Sequence, residues 1–206
     1  MNLLKNYTEV DAMKVLNDQR HFKEKDFEYS NFAYGTLGLI IEKVTNQKYK
    51  TILEKFLVKH YGVRQTCLWT QGSSYQNKNL YDWGADNFYQ PAGAVISNIE
   101  DMMVYLKMSM QRYKSDVNFY RPLKKVKTNF EEIWKFGINF DAVAYGWLED
   151  TGKNIIAHPG ELPTSTSFIG FEPHKEIGIV ILVNQEPSNE VFAKFLGAKL
   201  LNELSQ

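Results

Sequence analysis

Tyr29 and Asn31, two polar side chains two residues apart, stand where an extended stretch runs into a helix, in Tyr29-Ser30-Asn31-Phe32-Ala33-Tyr34-Gly35. A phenol and a carboxamide at the mouth of a rigid element are well placed for chemistry, because a polar pair gains most from being held before the ligand arrives. Other nucleophilic and metal-binding residue types are sparse. His21, His60, His158 and His174 are scattered, without the His-x-His or His-Glu-x-x-His spacing that puts two imidazoles on one metal. The single cysteine, Cys67, excludes an internal disulfide framework. Beside Leu68 and Trp69 it reads as a small core residue rather than a nucleophile. There is no phosphate loop and no dinucleotide fingerprint, so no cofactor is expected.

The elements that must position the pair follow from spacing. Ser30 or Asn31 can cap a helix on which Ala33, Leu37, Ile40, Ile41 and Val44 recur at the interval of one buried face. Gly35 and Gly38 each cost about 1 kcal/mol inside a helix, which points to another backbone packed close by. A short helix is expected over Asp11–Asn17, followed by a charged turn through Lys23-Glu24-Lys25-Asp26. A second amphipathic helix carries Tyr49, Ile52, Leu53, Phe56 and Leu57 and ends near Tyr61-Gly62. Residues 69–92 read as irregular. Ser97-Asn98-Ile99-Glu100 reads as a capping box opening a helix that buries Ile99, Met102, Met103 and Leu106.

From about residue 134 the period changes to that of strands, expected over Lys135–Phe140, Val143–Leu148, Asn154–Ala157, Ser165–Phe171 and Ile177–Val183. Pro187-Ser188 then opens a closing helix with Val191, Phe192, Phe195, Leu196, Leu200 and Leu201 inward. Helices first, antiparallel strands second and a final helix on the sheet make an α+β architecture. The 206 residues suit one domain or a large piece of one, with residues 1–133 mainly helical and loop and residues 134–206 mainly sheet. Lysine plus arginine equals aspartate plus glutamate at 24 each, so no global field recruits nucleic acid or an anionic membrane. The cluster Arg121, Lys124, Lys125 and Lys127 reads as a local solvated loop. No apolar run approaches the roughly 20 residues of a membrane span. The amino terminus lacks the pattern of a signal peptide, which makes the chain as written cytoplasmic in expectation.

Three ordered segments together resemble one family. Tyr29-Ser30-Asn31 with its helix resembles the Tyr-x-Asn motif of serine β-lactamase-related hydrolases, a group of class C β-lactamases, D-Ala-D-Ala carboxypeptidases and related esterases. Pro91-Ala92-Gly93-Ala94 resembles the family's Pro-Ala-Gly segment. His158-Pro159-Gly160 with Phe168–Pro173 and Ile177–Asn184 resembles its His/Lys-x-Gly strand and hairpin. The resemblance implies acyl transfer on a β-lactam, a D-Ala peptide or an ester. In it, Tyr29 exchanges protons with a serine, and only a cationic environment brings a phenol pKa of about 10 down far enough to help. Asn31 holds the substrate amide. His158 stands where many relatives have lysine, to supply positive charge or shuttle a proton. Gly160 admits a close backbone, and the N–H of Glu161 is one oxyanion donor.

The family's nucleophile belongs to a Ser-x-x-Lys motif upstream of Tyr-x-Asn, and no serine here has lysine three residues on. Thr45-Asn46-Gln47-Lys48 matches only loosely and lies downstream. The expectation is therefore a carboxy-terminal portion of a hydrolase, inactive alone. Two alternatives stand beside it: half of a split enzyme completed by an amino-terminal fragment, and a non-catalytic module for peptidoglycan peptides or another protein. Relatives normally work outside the membrane and pair their first strands with the last one. Without those strands, Ile177–Val183 should be a sheet edge open to aggregation or a partner strand.

Overall fold

The computed structural model describes residues 6–18, 27–69, 80–84, 86–116, 124–125, 131–185 and 192–206. They fall into two compact units, Met1–Asp26 with Ser30–Ser97, and Phe27–Tyr29 with Asn98–Gln206. The charged turn expected at Lys23–Asp26, the opening Pro187-Ser188, Val191, Arg121 and Lys127 lie outside the described residues.

The first unit is helical. Helix α1 (Glu9–Leu16) starts two residues earlier than its spacing predicts, because Thr8 and Asp11 cap it reciprocally. Helix α2 (Asn31–Thr45) is capped by Ser30, whose hydroxyl accepts from the Ala33 N–H at 3.1 Å, and it ends where Asn46 turns left-handed. Helix α3 (Tyr49–Tyr61) stops at Gly62 in the same way. A two-residue ladder joins β1 (Cys67–Leu68) to β2 (Val95–Ile96), and between them lies the short helix α4 (Gln90–Gly93).

The expected inward face of α2 is corrected. Leu37 is 52% and Val44 80% exposed, and Ala33, Ile40 and Ile41 are exposed with them. The buried positions are Gly35 and Gly38 instead. A Cβ at Gly35 would meet Phe88 at 2.5 Å, and one at Gly38 would meet Pro91 at 2.3 Å. The glycines are where α2 touches its neighbour, so the apolar row is left facing away.

The second unit is a sheet with a helix on each face. Six antiparallel strands lie in chain order: β3 (Lys124–Lys125), β4 (Ala142–Ala144), β5 (Trp147–Asp150), β6 (Ile155–Leu162), β7 (Ser165–Glu172) and β8 (Ile177–Val183). Lys124 and Lys125 thus pair with β4 rather than sitting in a loop. Helix α5 (Ile99–Ser115) lays Leu106 and Met110 over Gly178, which pairs with Phe171. Helix α6 (Phe192–Leu204) lays Gly197 on Phe168 and Leu201 on Gly170. Phe171 and Phe168 differ in parity along β7, so the two helices cover opposite faces.

Four further expectations are corrected here. Lys135–Phe140 is not a strand: residues Glu131–Phe136 form a 3₁₀ helix and Gly137 turns at φ +88°. Ile138 and Phe140 do alternate inward, but the Asn139 N–H donates to the Asp150 carboxylate at 2.8 Å instead of to a strand. Val143–Leu148 is a hairpin, reversed at Tyr145-Gly146 with φ of +41° and +92°. Positive φ at both central positions is the turn that matches strand twist. The cap of α5 is Asn98, whose Oδ1 accepts from the Asp101 N–H at 2.8 Å, while Ser97 bonds Thr66; Ile99 is exposed. On α6 the buried residues are Ala193, Lys194, Gly197, Ala198 and Leu201, with Phe192 and Leu200 exposed. Small residues face the sheet because Phe168 stands up from it: a Cβ at Gly197 would lie 2.3 Å from the ring.

The strand expected at Asn154–Ala157 runs on through His158 to Leu162. At the end of the sheet, β8 pairs with β7 alone among the described strands, the edge that the family resemblance implies for Ile177–Val183. Among the described residues no helix is long and apolar enough to cross a membrane.

Candidate active site

Strand β6 is the platform. It pairs with β5 only over Ile155, Ile156 and Ala157, but with β7 from Ile156 to Leu162. The cause is local: the turn at Tyr145-Gly146 cuts β5 to four residues, so β6 overhangs it. From His158 to Leu162 the β5 side of β6 therefore has no described strand against it. Pro159 is tolerated inside this strand because it lies in the overhang, where a missing N–H breaks no ladder on that side.

On this overhang the structure brings together Tyr29 and His158, remote in sequence. Their ring centroids are 6.0 Å apart with planes at 37°. Both side chains are half-buried. The Nδ1 of His158 lies 2.7 Å from the carbonyl oxygen of Pro159. A carbonyl only accepts, so Nδ1 carries the hydrogen and Nε2 of the neutral ring holds the lone pair. Burial pushes the imidazole pKa below its ordinary value, opposed by the bond to Pro159.

That shift has a measurable sign. The unfolded imidazole titrates near about 6.5, and the folded one lower. The stability His158 contributes is therefore present above the unfolded value and lost as pH falls through the folded one. Unfolding free energy should rise with pH across that window. His158→Gln should remove this part of the slope, as urea titrations at a series of pH values would show. An unchanged slope would mean that His158 is solvated.

Gly160 follows two residues on, paired with Ser167. Glu161 is exposed, and its carboxylate reaches 4.0 Å from the Nζ of Lys194 on α6, the face opposite His158. Lys194 itself is almost wholly buried, a feature invisible in sequence because it lies within an apolar helix. Asn31, the first residue of α2, is exposed and belongs to the other unit. Among the described residues no group of histidine, cysteine or acidic side chains could hold a metal ion. Burial pushes the Cys67 thiol pKa up, away from the reactive thiolate.

The Beta-lactamase family model matches residues 10–201. The chain belongs to the beta-lactamase family. Protein flp of Staphylococcus aureus (strain NCTC 8325 / PS 47) is 29% identical to this beta-lactamase-family chain, over 82% of the chain and 36% of flp. The chain thus spans little more than a third of the length of the curated relatives it matches. Among solved structures, the octameric penicillin-binding protein homologue from Pyrococcus abyssi superposes with a TM-score of 0.71 at 21% identity, over 96% of this chain and 47% of that one. The D-amino acid amidase from Ochrobactrum anthropi SV3, complexed with L-phenylalanine, gives 0.68 at 17% identity, over 99% and 66%. The fold is the α+β fold of β-lactamases and penicillin-binding proteins, with its sheet left open.

Proposed function

We propose that this chain carries the ligand-facing wall of a serine-hydrolase acyl-transfer site and binds acyl ligands without turning them over. The observation that carries the reading is Tyr29 set against His158 on a strand that has no described strand against its β5 side from His158 to Leu162. An acyl ligand, whether β-lactam, D-Ala peptide or ester, would lie along that side. Glu161 would offer its N–H to the carbonyl oxygen, a donor worth about 3–4 kcal/mol when aimed at a developing oxyanion. Tyr29 would be the residue that exchanges protons with a nucleophilic serine once one is supplied, a role that rests on the Tyr-x-Asn pattern. What is lacking is the attacking group: none of the serines is followed by lysine at the third position, and a serine hydroxyl without a base is a poor nucleophile.

The expected result is that the 206-residue chain hydrolyses nitrocefin and p-nitrophenyl acetate no faster than buffer. It should also show no mass increase after penicillin. Turnover abolished by Tyr29→Phe would overturn the reading.

Two surfaces favour a second reading, a half-enzyme completed by another polypeptide that brings Ser-x-x-Lys. One is the exposed row Leu37, Ile40, Ile41 and Val44 on α2. The other is the edge of β8, apolar throughout. Co-expression with such a fragment, followed by the same nitrocefin assay, separates the readings, since only the second expects activity to appear.

A further inference from the structure

Ser167 shares the face of the sheet that carries His158. It pairs with Gly160 across the β6–β7 ladder, and Gly160 lies two residues from His158. Directly paired residues, and residues two apart on one strand, project from the same face. The hydroxyl leans over its partner: a Cβ built on Gly160 would fall 2.3 Å from Ser167 Oγ but 3.6 Å from Ser167 Cβ. The oxygen therefore occupies the place where any other residue at position 160 would put its side chain. Gly160 thus does more than admit a close backbone, because its missing Cβ lets a hydroxyl from β7 reach over β6. Ser167 is half-buried, and among the described residues its hydroxyl has no hydrogen-bond partner. A serine hydroxyl has one donor and two acceptor sites to offer.

We propose that Ser167 is a ligand-binding residue, donating a hydrogen bond to the carbonyl oxygen of an acyl ligand bound over Gly160. The inference rests on the acyl-ligand reading of the β6 overhang and adds to it a residue that the Tyr-x-Asn and His-x-Gly patterns do not include. It also gives the face a polarity: a donor at Ser167 and an acceptor at His158 Nε2. A group with both a carbonyl and an N–H, such as a peptide bond, matches that pair better than an ester does.

The test is a titration of ¹⁵N-labelled protein with N-acetyl-D-alanyl-D-alanine, and with the depsipeptide in which the central N–H is oxygen. Wild type should show amide shifts at His158, Gly160 and Glu161 and bind the peptide more tightly than the depsipeptide. Ser167→Ala should weaken both ligands by about five- to tenfold, the loss of one hydrogen bond to a carbonyl. Gly160→Ala, which keeps the hydroxyl but takes its space, should weaken them as much or more. If wild type binds and Ser167→Ala stays within twofold, the role of Ser167 is wrong and the acyl-ligand reading survives. If wild type shows no shifts at millimolar ligand, both are wrong.

Discussion

Phe168→Ala is expected to lower the unfolding free energy by about 3–5 kcal/mol, the range for deleting a buried aromatic ring that its surroundings cannot replace. Phe168 is 0% exposed and belongs to a cluster with Ile138, Phe140, Leu148, Ala198 and Leu201. Its ring stands where Gly197 brings the backbone of α6 onto the sheet. Collapse is hindered because Gly197, where α6 meets the ring, has no side chain to swing into the void. Phe168 also pairs with Pro159, between His158 and Gly160, so the cavity opens directly beneath the candidate site. Urea unfolding of the variant measures the loss. A change under about 1 kcal/mol would mean that α6 does not dock through this ring.

Asp150→Ala should cost about 2–4 kcal/mol, since each part-buried donor left without its acceptor forfeits about 1–3 kcal/mol, reduced where water can reach it. The Asp150 carboxylate, 5% exposed, accepts from the N–H groups of Asn139 at 2.8 Å and of Gly152 and Lys153 at 3.1 Å each. It therefore shapes the turn between β5 and β6 and ties down the segment that follows Gly137. Asp150→Asn keeps one carboxyl-like oxygen and should fall between wild type and alanine. Thermal unfolding of the three proteins would rank them. Alanine and asparagine behaving alike would show that the carboxylate's second oxygen does the holding.

The strands and helices of the second unit are largely legible in the sequence, and so is the ordered appearance of Tyr29, Gly93 and His158. Burial is less so, for a physical reason. On α2 and α6 the apolar residues recur at helical intervals, yet contact is made through Gly35, Gly38, Gly197 and Ala198. Periodicity marks an apolar stripe; it cannot say whether a large side chain from outside, such as Phe88 or Phe168, has claimed the helix's small side instead. The hairpin at Tyr145-Gly146 escapes notice because tyrosine rarely takes positive φ, so the turn lacks the usual Asn-Gly signature. The overhang of β6 belongs to the register between two strands, and neither strand's own sequence encodes it. Ser167 is hidden for the same reason, since only the ladder places it over Gly160.

Strand β8 has a ladder on one side only, so alternate peptide groups along Ile177–Val183 have no described strand to bond. What holds the strand in place is then sandwiching more than stitching: α5 grips it through Leu106 and Met110 over Gly178, and α6 presses from the other side near Phe168 and Gly170. A strand secured by its faces can exchange the neighbour along its margin without giving up its seat.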